Sequence, residues 1–250
     1  MIKSVGIVGY GSFGVLLELL IKRFVPSLEI RVTSSRFEPD GKRFFSLADT
    51  AQCDAVILSV PIHAFEDTLK KLLPLMRIDT VIVDVATVKM HTLEILKRLA
   101  GDRPYIATHP MFGPESYEKR SGDVSEFRIV VAENTLPENL SAQLVAFLKE
   151  CGFTVVEMSA KQHDKHLAET LFLTHFIGQI VARGGFNRTE IDTVSFGYLM
   201  DAMESVKQDT ALFQDVYRYN PFCEEVLKRF EIAESEVHSL LKKKSPGVNS

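Results

Sequence analysis

A single histidine, His109, is held between Thr108 and Pro110 and is followed by Met111, Phe112, Gly113, Pro114 and Glu115. Imidazole is the side chain whose ordinary pKa suits general-base work near neutrality. Pro110 biases His109 toward an extended backbone, which keeps it at a strand tip. Two other predicted strand ends carry polar groups. Asp84-Val85-Ala86-Thr87-Val88-Lys89 offers the Thr87 hydroxyl between an acid and an amine, and Ser59-Val60-Pro61 offers another hydroxyl. A base and a hydroxyl at neighbouring strand tips suit removal of a proton from a hydroxyl group. His109 and Thr87 are therefore the candidate catalytic residues, and Lys89 would orient the loop or a bound cofactor.

The chain opens with Gly9-Tyr10-Gly11-Ser12-Phe13-Gly14, a G-x-G-x-x-G run after a predicted strand and before a predicted helix. That context makes it a dinucleotide fingerprint. Gly9 allows the tight turn, Gly11 lets the backbone approach a pyrophosphate, and Gly14 permits close helix–strand packing. The N-terminus of the following helix supplies N–H groups and partial positive charge to the phosphates. Ser12 and Phe13 complete this loop, and Ser59, Val60 and Pro61 would border the same crevice. The end of the second strand selects the cofactor. NAD enzymes place an acid there for the ribose 2′-hydroxyl, whereas this chain has Thr33-Ser34-Ser35-Arg36. Ser34, Ser35 and Arg36 suit a 2′-phosphate. NADP is the expected cofactor, with NAD as the alternative.

These residues need a scaffold. β-Branched runs at 4–8, 28–33, 55–59, 80–85, 105–108, 128–132 and 154–158 alternate with helical patterns at 12–24, 63–76, 89–100 and 138–151. That alternation predicts a parallel sheet with crossover helices. After Met158 the pattern is helical only. Ser159-Ala160-Lys161-Gln162 reads as a capping box. A long helix follows to about Arg183, broken by Gly184-Gly185, then helices near 193–207, 209–219 and 222–243. The predicted fold class is α/β: an N-terminal Rossmann-type doubly wound sheet over 1–158, then an all-helical domain over 159–250 for substrate binding and dimerisation.

Composition narrows the function. With 46% hydrophobic residues among 250, the chain can bury a sizeable core. A net charge of −4 disfavours nucleic acid or an anionic membrane as partner. Lys242-Lys243-Lys244 reads as a solvated helix end and 245–250 as a frayed tail. Three widely spaced cysteines with no C-x-x-C fit the cytoplasm and no metal site. No apolar run is long enough for a membrane span or signal peptide. No further domain is expected beyond residue 250, and so no fused mutase or amino-acid-sensing module.

Residues 108–116 resemble the active-site segment of the prephenate/arogenate dehydrogenases, most of all the plant arogenate branch. Asp84 to Lys89 is similar to the upstream segment of that family. Glu157-Met158-Ser159, His163-Asp164-Lys165, Thr174-His175 and Gly178 are similar to the start of its helical domain. The similarity runs from the glycine loop to about Tyr219. It implies oxidative decarboxylation of a cyclohexadienol to a phenol in tyrosine biosynthesis. His109 would take the ring-hydroxyl proton. Thr87 stands where the family usually has a Ser that bonds this hydroxyl, so the hydroxyl is kept and a methyl added. His175 would be a substrate-side residue, although Leu167, Leu171 and His175 also share a helix face as a buried structural set would. Glu115 would sit near the mouth. Glu204 occupies the neighbourhood of an Arg that grips prephenate in microbial enzymes, and an acid there favours the ammonium group of arogenate. Arg183, Arg188 and Lys207 are further candidate carboxylate-binding cations. The resemblance also implies a homodimer formed through the helical domain.

Two other readings stand beside this one. A β-hydroxyacid dehydrogenase or pyrroline-carboxylate reductase type would use a catalytic Lys on a helix of the second domain, for which Lys165 is available. A non-catalytic NADPH-binding sensor would be indifferent to the loss of His109.

Overall fold

In the computed structural model, residues 2–242 are described. Lys243, Lys244 and the 245–250 tail lie outside the described residues. The chain divides into two compact units between Asp164 and Lys165.

The first unit is built on one sheet of seven strands: β1 (Ser4–Val8), β2 (Glu29–Thr33), β3 (Ala55–Leu58), β4 (Val81–Asp84), β5 (Tyr105–Pro110), β6 (Arg128–Asn134) and β7 (Thr154–Glu157). Their order is β2-β1-β3-β4-β5-β6-β7. Strands buried on both faces read as unbroken apolar runs rather than alternating ones; all four residues of β3, Ala-Val-Ile-Leu, are buried. Val5, Ile7, Val32, Ile57 and Ile106 form one core cluster of the sheet. The helices of this unit are α1 (Ser12–Phe24), α2 (Leu47–Ala51), α3 (Phe65–Leu72), α4 (Lys89–Leu99), α5 (Pro114–Lys119) and α6 (Glu138–Glu150), and α7 (Ala160–Leu167) begins in it. α2 and α5 are short helices in stretches that read as loops.

The sheet departs from the all-parallel expectation at one junction. β5 and β6 pair antiparallel, while β6 and β7 are parallel to each other. A parallel return needs a long crossover, usually a full helix. Residues 111–127 contain only the six-residue α5, and the chain turns straight back. This reversal lengthens β5 past the predicted end at 108. β4 pairs with β5 only as far as Asp84 opposite Ala107. His109 and Pro110 lie beyond that point and are held by β6, opposite Val130 and Ile129. Met111 N–H donates to the Arg128 carbonyl at 2.8 Å. By alternation the Pro110 nitrogen faces the side where β4 has already ended, so its missing N–H breaks no ladder bond. The register also shifts between Ala107 and Thr108, where Ala132 is skipped. Such irregularities re-aim side chains.

The second unit is helical: a π-helical turn (Ala168–Phe172), α8 (Leu173–Arg183), α9 (Val194–Val206), α10 (Thr210–Tyr219) and α11 (Cys223–Lys242). The sequence reads as an uninterrupted helix to Arg183, and the π turn lies inside it. α8 stops at Gly184-Gly185, where Gly185 has φ +71°. α8 and α9 approach closely because Gly178 has no side chain; a β-carbon there would fall 2.4 Å from Val206 Cγ2. Gln179 Nε2 donates to the carbonyls of Val206 and Lys207, 3.2 Å each, and closes the end of α9. Val181, Met200 and Met203 form the apolar contact. Among the described residues no helix is long and apolar enough to cross a membrane.

Candidate active site

The glycine loop is shaped by contacts that exclude side chains. Gly9 follows β1 with φ +101°. A β-carbon on Gly9 would lie 2.1 Å from the Ser59 carbonyl oxygen, and one on Gly14 2.3 Å from the Gly9 carbonyl oxygen. A β-carbon on Gly11 would meet nothing within 4 Å. Gly11 is the N-cap of α1; no side chain caps this end and no acid sits in its first turn. An uncapped helix start facing open space fits a dinucleotide pyrophosphate. Ser12 is exposed and Phe13 half-buried in that first turn. Ser59 N–H donates to the Val8 carbonyl at 2.8 Å. Ser59 and Val60 are half-buried and Pro61 is exposed. They stand at the β1/β3 junction, where the strand order reverses and ligands of open α/β sheets bind.

At the end of β2, Ser34 is half-buried and Ser35 and Arg36 are exposed. The Arg36 guanidinium donates to the Tyr10 carbonyl, inside the glycine loop. Sequence reasoning missed the second arginine here. Arg43 Nη2 lies 2.6 Å from Glu18 Oε2 and also donates to the Tyr10 hydroxyl, which itself donates to Glu18. Burial pushes the Glu18 carboxyl up, but bonds from Arg43, Lys22 and Tyr10 outweigh this and hold it at about 2. The turn that carries Arg43 is built by Asp40, whose Oδ1 accepts the N–H groups of Lys42, Arg43 and Phe44. Asp40-Gly41 was its available sequence signal.

The ends of β4 and β5 are tied by a buried ion pair. Lys89 Nζ lies 2.6 Å from Asp84 Oδ2 and donates to the Thr108 carbonyl at 2.7 Å. Thr92 donates to Asp84 Oδ2, and Ala86 N–H to Asp84 Oδ1, both at 2.7 Å. Thr108 donates to the Asp84 carbonyl at 2.8 Å. Both partners of the pair have fully buried side chains. Burial pulls the Lys89 pKa down and Asp84 opposes it. Lys89 thus fastens the two strand tips together. Thr87 is half-buried in the turn between Asp84 and α4.

His109 is 5% exposed. Its Nδ1 lies 2.9 Å from His163 Nε2, with the rings edge to face. His163 Nδ1 lies 2.7 Å from Asp164 Oδ1. Asp164 also receives the first N–H groups of α4: Lys89 to Oδ1 and Met90 to Oδ2, each at 2.8 Å. The expected capping box is present, with Gln162 N–H donating to Ser159 Oγ and Ser159 N–H to Gln162 Oε1, both at 3.2 Å. It starts α7 so that His163 and Asp164 follow at once. Burial, then the neighbouring His163 and Lys89, hold the His109 pKa well below the usual histidine value. His109 is therefore a neutral imidazole at pH 7. Phe112, just beyond it, stacks on Phe127 at 4.6 Å and meets Phe13 at 6.4 Å, linking this segment to the glycine loop.

The remaining candidates fall in both units. Glu115 lies exposed on α5, paired with Lys119 at 2.6 Å. In the helical unit His175 is buried, and its Nδ1 donates to the Leu171 carbonyl at 2.9 Å. His175 Nε2 is buried with no hydrogen-bond partner. Along this stretch Thr170, Thr174 and His175 each bond the carbonyl four residues back, those of His166, Thr170 and Leu171. Glu204 is exposed and shares Arg188 with Asp201 and Asp192. Lys165 is exposed.

The chain is similar to known proteins along most of its length. Residues 42–157 match the prephenate dehydrogenase nucleotide-binding domain model, and residues 180–249 match a TYRAAT1-like C-terminal domain. Arogenate dehydrogenase 1, chloroplastic, of Arabidopsis thaliana is 31% identical over 92% of this chain, and arogenate dehydrogenase 2, chloroplastic, 28% over 92%. The chain spans 38% of the first relative's length and 67% of the second's. Aquifex aeolicus prephenate dehydrogenase, solved with hydroxyphenyl propionate and NAD+, superposes with a TM-score of 0.74 at 20% identity, covering 96% of this chain and 91% of that one. Synechocystis arogenate dehydrogenase gives 0.67 at 19%, covering 95% and 91%. Residues 42–157 thus match the nucleotide-binding domain of prephenate dehydrogenases, and the chain is similar along most of its length to arogenate dehydrogenases.

Proposed function

We propose that this chain catalyses the NADP-linked oxidative decarboxylation of arogenate, with prephenate as the alternative substrate, to tyrosine or 4-hydroxyphenylpyruvate. The observation that carries this reading is His109: a buried, neutral imidazole on β5 past its pairing with β4, at the end of the sheet where the glycine loop follows β1. When bound, the nicotinamide supplies the hydride acceptor for the ring carbon that bears the hydroxyl. Gly9, Gly11, Gly14 and the start of α1 would hold the pyrophosphate. Ser34, Ser35, Arg36 and Arg43 would face the 2′-phosphate, which an acid at this place would repel.

His109 takes the proton of the ring hydroxyl as that carbon becomes a carbonyl, and Thr87 hydrogen-bonds the same oxygen. The substrate's ring carboxylate then leaves as carbon dioxide, and its bonding electrons make the ring aromatic. The gain in aromaticity makes the sequence effectively irreversible. His175 is assigned to the substrate because its Nδ1 is committed as a donor, leaving Nε2 as a buried acceptor in want of a donor. Asp192, Asp201 and Glu204 outnumber the one guanidinium they surround, and this negative balance favours an ammonium-bearing side chain.

A homodimer through the helical unit is part of the proposal. Ile191, Val194, Tyr198, Ile232, Leu240 and Leu241 are large apolar side chains left exposed there, apolar surface that association would cover. A cytoplasmic location is proposed from Cys53, Cys151 and Cys223, none of which is in a disulfide.

Steady-state assays crossing NADP and NAD with arogenate and prephenate test the reading. The expected result is the highest kcat/KM for NADP with arogenate. Absence of turnover in all four combinations would overturn it.

A further inference from the structure

We propose that Asp164 and His163 fix the tautomer of His109, so that Nδ1 carries the proton and Nε2 is the basic atom. This rests on the reading of His109 as the base. Asp164 is itself immobilised, because both oxygens accept N–H groups at the start of α4, which has no side-chain cap of its own. A carboxylate can only accept, so His163 Nδ1, 2.7 Å away, carries a proton. His163 is 2% exposed, with the Asp164 carboxylate at one ring nitrogen and the buried His109 imidazole 2.9 Å from the other. That contact occupies His109 Nδ1, so the nitrogen of His109 left to meet a substrate is Nε2, and a base working there holds its lone pair there. His109 Nδ1 must then be the donor across the 2.9 Å contact. One lone pair remains on His109, at Nε2.

The arrangement gives the base direction as well as basicity. The capping box fixes where α7 starts, Asp164 fixes the His163 ring, and His163 fixes the His109 ring. When His109 gains a proton, the positive charge is hydrogen-bonded to His163, whose far nitrogen rests on Asp164. No proton needs to travel along the chain, as in the Ser-His-Asp arrangement. His163 and Asp164 are positioning residues. The same carboxylate closes the start of α4, directly after the Thr87 turn, so base and hydroxyl share one anchor.

Long-range proton–nitrogen correlation spectra of the histidine-labelled full chain test this without turnover. We expect His109 and His163 both protonated at Nδ1 and not at Nε2. Asp164→Asn keeps an oxygen for α4 but presents an amide N–H to His163. It should drive the His163 proton to Nε2 and the His109 proton to Nε2 in turn, and lower kcat by about 10³- to 10⁴-fold with NADPH affinity unchanged. His163→Gln retains an acceptor for His109 Nδ1–H and should keep kcat within about tenfold, one decade being ~1.4 kcal/mol. A wild-type spectrum with His109 protonated at Nε2 would overturn the proposal, whether or not Asp164→Asn folds. So would Asp164→Asn with unchanged tautomers and turnover. If His109→Asn is inactive while Asp164→Asn is fully active, only this proposal fails; if His109→Asn is fully active, the assignment of the base fails with it.

Discussion

Gly9 and Ser59 approach so closely that the carbonyl oxygen of one occupies the space of a β-carbon on the other, at 2.1 Å. The contact joins the ends of β1 and β3 at the place where the strand order reverses. Gly9→Ala must also strain a positive φ. We expect it to lower stability by at least ~2 kcal/mol in urea denaturation and to abolish measurable NADPH binding. Gly11→Ala is the informative contrast, since its β-carbon meets open space. It should leave stability unchanged and weaken NADPH by about tenfold or more, ~1.4 kcal/mol per decade, because the methyl stands where the pyrophosphate approaches. Unchanged affinity in Gly11→Ala would contradict the pyrophosphate assignment.

Arg36 is an exposed guanidinium anchored on the Tyr10 carbonyl, where a NAD-specific site would carry an acid. Arg36→Ala should raise KM for NADP by about tenfold, the scale of one lost charge-assisted hydrogen bond. KM for NAD should be little changed. Parallel losses with both cofactors would mean that Arg36 only supports the loop.

Lys89 and Asp84 form a pair with no exposed side-chain surface. Lys89→Met leaves the Asp84 carboxylate buried without its counter-charge, and should cost about 3–5 kcal/mol in chemical denaturation. The double variant Asp84→Asn with Lys89→Met should recover part of that loss. No recovery would mean that packing, not charge, dominates the site.

His109 has a pKa well below the ordinary 6.5 because burial, His163 and Lys89 all disfavour its charged form. The base is neutral from pH 8 down through about pH 6.5. The acid limb of a kcat/KM profile should therefore lie well below 6.5, and a limb at or above 6.5 would exclude His109. The stability effect has the same sign. As pH falls below 6.5 the unfolded chain takes up a proton at this position before the native chain does. Stability from this residue is thus full above 6.5 and is lost toward acid.

The sheet was largely legible because its apolar runs are bounded by turn residues; β1, β3, β5, β6 and β7 start where the pattern places them. The direction of β6 was not legible. It depends on the short path through α5, and α5 looked like a loop because Gly113 and Pro114, its N-cap and first residue, are also turn residues. The glycine loop was legible because its constraints are local. The partnership of His109 with His163 spans 54 positions and depends on strand pairing and on the start of α7. The local hints were the capping box at Ser159 and the family resemblance of His163-Asp164-Lys165, and neither pointed to His109. Arg43 escaped because only the folded Asp40 turn brings it to Tyr10. The π turn escaped because Leu167, Leu171 and His175 fit ordinary helical spacing.

The most direct test of the chemistry is His109→Asn, with turnover and NADPH binding measured on the same protein. We expect kcat to fall by about 10²- to 10⁴-fold, the range of a lost general base, while NADPH affinity is unchanged. Wild-type turnover in this variant would contradict the assignment of His109 as the base.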